Sequence, residues 1–411
     1  MEKQRKEMAI WSDPWLLFIA IALALLGVVM IYSSTHNLAQ ERMHDAYFFL
    51  KKHMLSLFAG CVALYLTTII PLEKMRMLVI PLLLGVFGLL VLVLVPGFGV
   101  RAGGAIRWIK IAGIRLGQPA ELAKLAVIFY LASSLARKQD RIEHFMVGFV
   151  PNVIIVGAIV GLLMLQPDFG TSMMLLTIMG IMMFVGRVPI QYLLGSAMLA
   201  LPAVYLALIW SPYRWKRIMS FLDPMAKENI QDGAYQLVQS LKAFASGGLW
   251  GLGVGHGKQK LGYLPEAHTD FIFAVVGEEL GLIGVLFVIG GILFLIYRGF
   301  RISQRTPVLF YRFLALGLTC MIGVQTLINM GVVMGSLPTK GMPMPFISFA
   351  RSSLIVVLAA IGVLLQIEYD TQQKQLKQLL SQRSKKTGQT QKAKKRAPKQ
   401  ANATKDLRAP A

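Results

Sequence analysis

Apolar runs of about 20 residues recur from one end of the chain to the other, and no other feature limits its fold as strongly. A bilayer core of ~30 Å needs about 20 apolar residues per helical crossing. Within lipid, each backbone polar group must be satisfied inside its own helix or a closed barrel. Ten windows meet the length requirement: about 15–35, 53–72, 77–96, 119–136, 145–166, 170–187, 190–210, 271–297, 308–334 and 346–367. Composition agrees, since 55% of the 411 residues are hydrophobic and only 15% charged, against roughly a quarter charged in soluble domains. Disorder, a disulfide scaffold, an ordinary soluble enzyme and a basic nucleic-acid binder are excluded, and no nucleic-acid partner is expected. The expected fold is an all-α polytopic membrane protein of about ten transmembrane helices. Windows six and seven are divided only by Arg187 and Pro189. The first is too long and too far from the start for a cleaved signal peptide.

Charge orients the chain. With a cytoplasmic N-terminus, the inner segments hold 24 Lys and Arg against 8 outside, once the long loop over 211–270 is set aside. Long loops count little in this bias, so both termini are expected in the cytoplasm. Residues 1–14 form a short N-terminal segment, 15–367 the membrane domain, and 368–411 a basic tail. The tail is rich in Lys, Gln, Ala, Thr and Pro, cannot build a core and is expected to be disordered. It serves either as a topology anchor on anionic headgroups or as a docking segment. Cys61 and Cys320 fall inside windows, with no CxxC and no clustered His, and imply neither disulfide nor thiolate metal site.

The informative residues are polar ones where lipid would forbid them. PGFGVRAGGAIRWIKIAGIRLGQP, after the third window, carries six glycines and four cations and is expected at the outer surface or lining a cavity. Arg107 and Lys110 are spaced one helical turn apart beside Trp108, either as a basic rim for an anionic headgroup or as snorkelling cations. Glu121 and Lys124 share a helix face, as a structural ion pair or as substrate contacts. Asp168 follows Gln166-Pro167 at the opening of a window. Arg214, Lys216 and Arg217 interleave with Tyr213 and Trp215, as in an interfacial amphipathic segment. The glycines at 251, 253, 255 and 257, followed by Lys258, mimic a phosphate loop, but Gln259 stands where Ser or Thr is required. A flexible turn offering backbone N–H groups to another anion remains open.

Asp270 closes PEAHTD just before an apolar window. It suits a helix N-cap, which would hold its pKa down, or a general base, which would want it raised; position alone leaves both open. Glu278 and Glu279 lie two turns deeper, costly without partners.

RWIKIAG with QPAELAKLA, then QPDFGTS, YQLVQSLKAFASGG, LPEAHTDFIFAVVGEELGLIG and NMGVVMGSLPTKGMPMPFIS resemble the SEDS family (shape, elongation, division and sporulation) over about residues 12–367. YQLVQSL, PEAHTDF and LPTKG are most similar to the division branch, FtsW, rather than the elongation branch, which more often has PEQHTDF; the sporulation branch stands close. The resemblance implies a ten-span peptidoglycan glycosyltransferase polymerising lipid II during septal wall synthesis, at the inner membrane and division septum. It implies that Asp270 matches the family's essential aspartate. It also implies a class B penicillin-binding protein as transpeptidase partner, alongside other divisome membrane proteins.

The implied chemistry joins an acceptor 4-hydroxyl to a donor anomeric carbon with inversion. The leaving polyprenyl diphosphate is already a stable anion, so one base suffices where a hydrolase needs two carboxylates. Cations then stabilise the departing charge; the candidates are Arg107, Lys110, Lys124, Arg214 and, more remotely, Lys340. Glu121, Asp168, His268, Glu278 and Ser352 are the expected polar residues of the cavity. A divalent cation, Mg or Mn, would suit the same task, although no ligand cluster announces one. The family's usual YGGSS reads FARSS at Phe349–Ser353, which puts in doubt any backbone contact at that turn. Two other functions compete: a flippase carrying lipid II through a polar path at Glu121, Lys124 and Glu278, and a non-catalytic divisome scaffold.

Overall fold

The computed structural model describes residues 9–102, 105–111, 114–210, 212–224 and 234–396. Each of the ten apolar windows coincides with a helix: α1 (Pro14–Met43), α2 (Phe48–Ile69), α4 (Val79–Leu94), α5 (Pro119–Arg137), α6 (Val150–Leu165), α7 (Phe169–Val185), α8 (Ile190–Ile209), α11 (Ile272–Arg305), α12 (Leu309–Val333) and α13 (Arg351–Arg396). Among the described residues there are also three shorter α-helices, α3 (Leu72–Met77), α9 (Pro212–Leu222) and α10 (Tyr235–Gly247). Among the described residues, seven helices are long and apolar enough to cross a membrane, α6 counting together with the π turn that precedes it; α4, α7 and α8 are shorter apolar helices. The chain is thus a multi-pass membrane protein. α5, α12 and α13 are the most enclosed, whereas α2 and α6 turn most of their surface outward. Their apolar outer faces need no partner, because lipid is as apolar as a core.

The break between windows six and seven falls where the punctuation predicts. α7 stops at Val185, Arg187 takes a left-handed φ of 69°, and α8 starts just after Pro189.

The Gly- and cation-rich segment departs from expectation. It is an antiparallel meander of β1 (Gly99–Ala102), β2 (Ala105–Ile111) and β3 (Ile114–Gly117). The helical-turn spacing of Arg107 and Lys110 therefore has no meaning here, because both lie on a strand. Val100 pairs with Trp108 and Arg101 with Ile106, which leaves Arg107 as the extra residue of a bulge. Bulges re-aim side chains, and this one sends Arg107 toward the opening of α7.

α11 is two helices joined at Gly281, whose φ of 64° and ψ of −161° lie in a region that only glycine enters readily. The break frees backbone groups that lipid cannot satisfy, and the glycine-rich segment after α10 satisfies them. The N–H groups of Leu252 and Gly253 donate to the carbonyls of Glu278 and Glu279, each at 3.0 Å, and Leu282 N–H donates to the Gly248 carbonyl at 2.9 Å. A Cβ on Gly281 would stand 2.3 Å from the Gly251 nitrogen, so the two segments can meet only there.

The membrane unit runs to Glu368. From Tyr369 the chain forms a second unit that is helical to Arg396, with an Asp370–Lys374 pair at 2.6 Å. A basic composition prevents a core there, but Lys, Gln and Leu are good helix formers.

Candidate active site

Segments far apart in the chain converge on Asp270. Its backbone is fixed first: Asn329 of α12 donates through Nδ2 to both the Asp270 and Met342 carbonyls, each at 2.7 Å. Phe349 N–H donates to the His268 carbonyl at 2.9 Å, and the Phe349 ring packs on His268 and Phe49. The segment before Asp270 is therefore clamped from two sides. Gly341 lies against the carboxylate, where a Cβ would stand 2.8 Å from Oδ2.

The carboxylate does not cap its helix. α11 has Phe271 at its N-cap and no side-chain cap bond, and among the described residues the Asp270 carboxylate accepts no hydrogen bond. It is half-buried. Desolvation first, then the neighbouring Glu266 carboxylate, push its pKa up to about 7, against the pull of Arg107 and Arg217. An acid poised near neutrality can take a proton at working pH.

Cations ring this position. Arg107 reaches the Pro167 carbonyl and lies 4.0 Å from Asp168. Asp168 is anchored in turn: it caps α7 at Thr171 and accepts from Gln118 Nε2 at 3.2 Å. Arg217, on α9, donates to the Thr339 carbonyl at 2.9 Å. Lys340 stands 4.2 Å above the Phe169 ring. Residues 339–342 thus form one wall, bearing the Arg217 acceptor, Lys340, Gly341 and the Met342 carbonyl. A pair of arginines beside one half-buried carboxylate, with Lys340 on the adjoining wall, can hold a diphosphate while the carboxylate moves a proton.

The other expected residues are dispersed. Lys110 is exposed on β2. Arg214 lies on α9, with its side chain outside the described residues. Lys124 is almost wholly buried, paired with Glu121 at 2.7 Å and bonded to Gln325 Oε1 at 2.8 Å. Glu278 accepts from the N–H groups of Lys258 and Gln259, so the anion that the glycine-rich turn receives is the chain's own. Glu279, buried beside it, pairs with Lys260 and accepts from Ser33. His268 has its pKa lowered chiefly by burial. Ser352 accepts from Gln118 N–H at 3.2 Å, which ties the start of α13 to the end of β3. In the FARSS turn neither Ala350 nor Arg351 has a positive φ, so this turn does not depend on the missing glycines.

Sequence reasoning missed Arg217, Asn329 and Gly341. Arg217 was indistinguishable from its neighbours Arg214 and Lys216, and Asn329 and Gly341 act through backbone that pattern does not reveal. Among the described residues, no three His, Cys, Asp or Glu side chains converge as metal ligands. Arginine and lysine supply the positive charge that the described residues place here.

The family model described as cell cycle protein (FtsW/RodA/SpoVE) matches residues 14–373. A probable peptidoglycan glycosyltransferase FtsW of Geobacter metallireducens is 43% identical over 355 residues, covering 86% of this chain and 94% of that one. The Coxiella burnetii protein of the same name is 38% identical over 373 residues, covering 90% and 100%. Among solved structures, a chain from a peptidoglycan synthase complex that coordinates polymerization and crosslinking has a TM-score of 0.70 at 27% identity, covering 87% of this chain and 97% of that one. The rod shape determining protein RodA of Thermus thermophilus has a TM-score of 0.63 at 27% identity, covering 86% and 96%. Match length, identity and fold agree with the motifs that meet at Asp270: the chain belongs to the FtsW/RodA/SpoVE family of cell cycle proteins.

Proposed function

We propose that the protein is a peptidoglycan glycosyltransferase that polymerises lipid II for septal wall synthesis, with Asp270 as its general base. One observation carries the reading: a carboxylate raised to about 7, free of its helix terminus and faced by Arg107 and Arg217. Asp270 takes the proton of the acceptor 4-hydroxyl as that oxygen attacks the anomeric carbon of the donor. The C–O bond to the diphosphate breaks with inversion, and the electron pair leaves on the polyprenyl diphosphate. Arg107, Arg217 and Lys340 balance that charge, so no acid is needed at the leaving group. Asp168 and Gln118 position Arg107, while Asn329 and Gly341 position Asp270.

In this reading ten helices span the inner membrane, both termini are cytoplasmic, and the site faces outward at the septum. A class B penicillin-binding protein crosslinks the product, as the similarity to a synthase complex suggests, with further divisome proteins beside it. Glu121 pairs with Lys124 and Glu278 accepts from the Lys258 N–H, contacts that favour polymerisation over a polar path for a flippase.

The test is purified protein with lipid II in detergent, with and without its transpeptidase, resolved as glycan ladders. Wild type is expected to give ladders and Asp270→Asn none. Ladders from Asp270→Asn at the wild-type rate would falsify the assignment. Headgroup translocation in liposomes without polymer would support a flippase instead.

A further inference from the structure

A cleft of about 370 Å³ opens where α3 and the start of α4 meet the end of α5 and the start of α12, lined by Glu73, Arg76, Ser133, Arg137 and Tyr311. That volume lies within the ~300–1,000 Å³ of ligand clefts. The Asp270 site lies at the other end of α5, whose first turn follows Gln118 and β3. Nineteen residues at a helical rise of ~1.5 Å separate the two places by about 28 Å, so the cleft sits at the opposite membrane boundary.

Arg76 and Arg137 come from different helices, and among the described residues neither has a carboxylate within ion-pair distance. Arg137 donates through Nε to the Ser133 carbonyl at 3.3 Å, and Arg76 lies 5.8 Å from the Phe310 ring centroid. Each guanidinium carries five N–H donors, so most remain unused. Glu73 faces the Tyr311 hydroxyl at 3.5 Å rather than either arginine. Ser133 is buried at 2% exposure, and among the described residues its hydroxyl has no hydrogen-bond partner. Lys138 next door has its pKa lowered, by burial first and then by Arg137. Met77 and Ile80, apolar and exposed at 77% and 48%, line the same cleft.

We propose that this cleft binds a phosphate group, that of an anionic phospholipid headgroup, held between the Arg76 and Arg137 guanidiniums with the Ser133 hydroxyl as a further donor. Paired guanidiniums suit phosphate oxygens bidentately, and basic pockets between membrane helices bind anionic headgroups. Met77 and Ile80 lie where an acyl chain leaves the headgroup. A free phosphate would leave them uncovered.

The site is independent of the glycosyltransferase reading, and its test needs no turnover. The full chain, delipidated in detergent, is loaded with phosphatidylglycerol or phosphatidylcholine, and retained lipid is counted by native mass spectrometry. Wild type is expected to retain phosphatidylglycerol about tenfold better, Arg76→Gln/Arg137→Gln to lose that preference, and Lys74→Gln, on the same short helix outside the cleft, to keep it. Should the double variant not fold, Arg76→Gln alone, at an exposed side chain, is expected to lower the preference about threefold. Displacement of phosphatidylglycerol by millimolar inorganic phosphate would support recognition of the phosphate itself. Inorganic phosphate raising the melting temperature through Arg76 and Arg137, with no preference between the two lipids, would overturn the lipid as its source. Equal retention of phosphatidylglycerol by wild type and arginine variants would overturn the site.

Discussion

The Lys260 ammonium and the Glu279 carboxylate meet at 2.6 Å beside the break in α11, with only 6% and 0% of their side chains exposed. Next to them Glu278 accepts from the backbone of Lys258 and Gln259. Two acids at membrane depth thus become the anchor of the segment that leads, ten residues later, to Asp270.

Breaking this pair on one side leaves a buried charge, which costs about 3–5 kcal/mol. Glu279→Gln is therefore expected to lower the melting temperature in detergent markedly and to reduce polymerisation with it. Glu279→Gln/Lys260→Met removes both charges and is expected to recover most of the stability. No recovery in the double variant would show that the pair is not what anchors the segment.

Gly341→Ala separates positioning from folding. The added methyl meets the flexible end of the Asp270 side chain at 2.8 Å, with no backbone in its way. Stability is expected to change by less than about 1 kcal/mol, while displacement of the base costs about tenfold or more in turnover. Initial rates beside thermal unfolding of the same preparation check this; an unchanged rate would remove Gly341 from the site.

The raised pKa of Asp270 fixes the sign of two pH effects. The base works only when deprotonated, so the rate of polymerisation is expected to climb as pH rises through about 7. The folded chain holds this proton more tightly than the unfolded one, whose value is ~3.9. Its contribution to stability is therefore full below about 4 and lost as pH rises through about 7. Asp270→Asn should accordingly be inactive yet no less stable than wild type at pH 8. A variant that melts lower at that pH would restore the helix-cap role.

Lys124→Met tests the buried pair with Glu121. As a structural pair it predicts a loss of about 3–5 kcal/mol, with folding and activity both returning in Glu121→Gln/Lys124→Met. Activity that stays lost in a well-folded double variant would make Lys124 a substrate ligand. The readouts are monodispersity by size exclusion and glycan ladders.

The ten apolar segments and the break at Arg187–Pro189 were legible because lipid imposes one rule on every crossing helix: enough apolar length, with the backbone satisfied within it. Asp270 was legible as a residue but not as a role, since a helix cap and a general base ask for the same side chain at the same place. The β-meander escaped because its glycines and cations read as irregular, and the bulge at Arg107 depends on strand pairing. The partners of Glu278, backbone N–H groups of residues 258 and 259, were not legible because backbone contacts leave no mark on sequence pattern.

The sequence by itself therefore determined the solvent, the helices and the residue types available to the chemistry. Only the tertiary structure decided which charges come close enough to act on one another. Lys124 pairs with Glu121 and Glu278 accepts from the Lys258 N–H, whereas Arg107 and Arg217 act on Asp270. The physical reason is range: a charge pairs within a few ångströms across segments up to hundreds of residues apart, and periodicity along the chain carries no information about that distance.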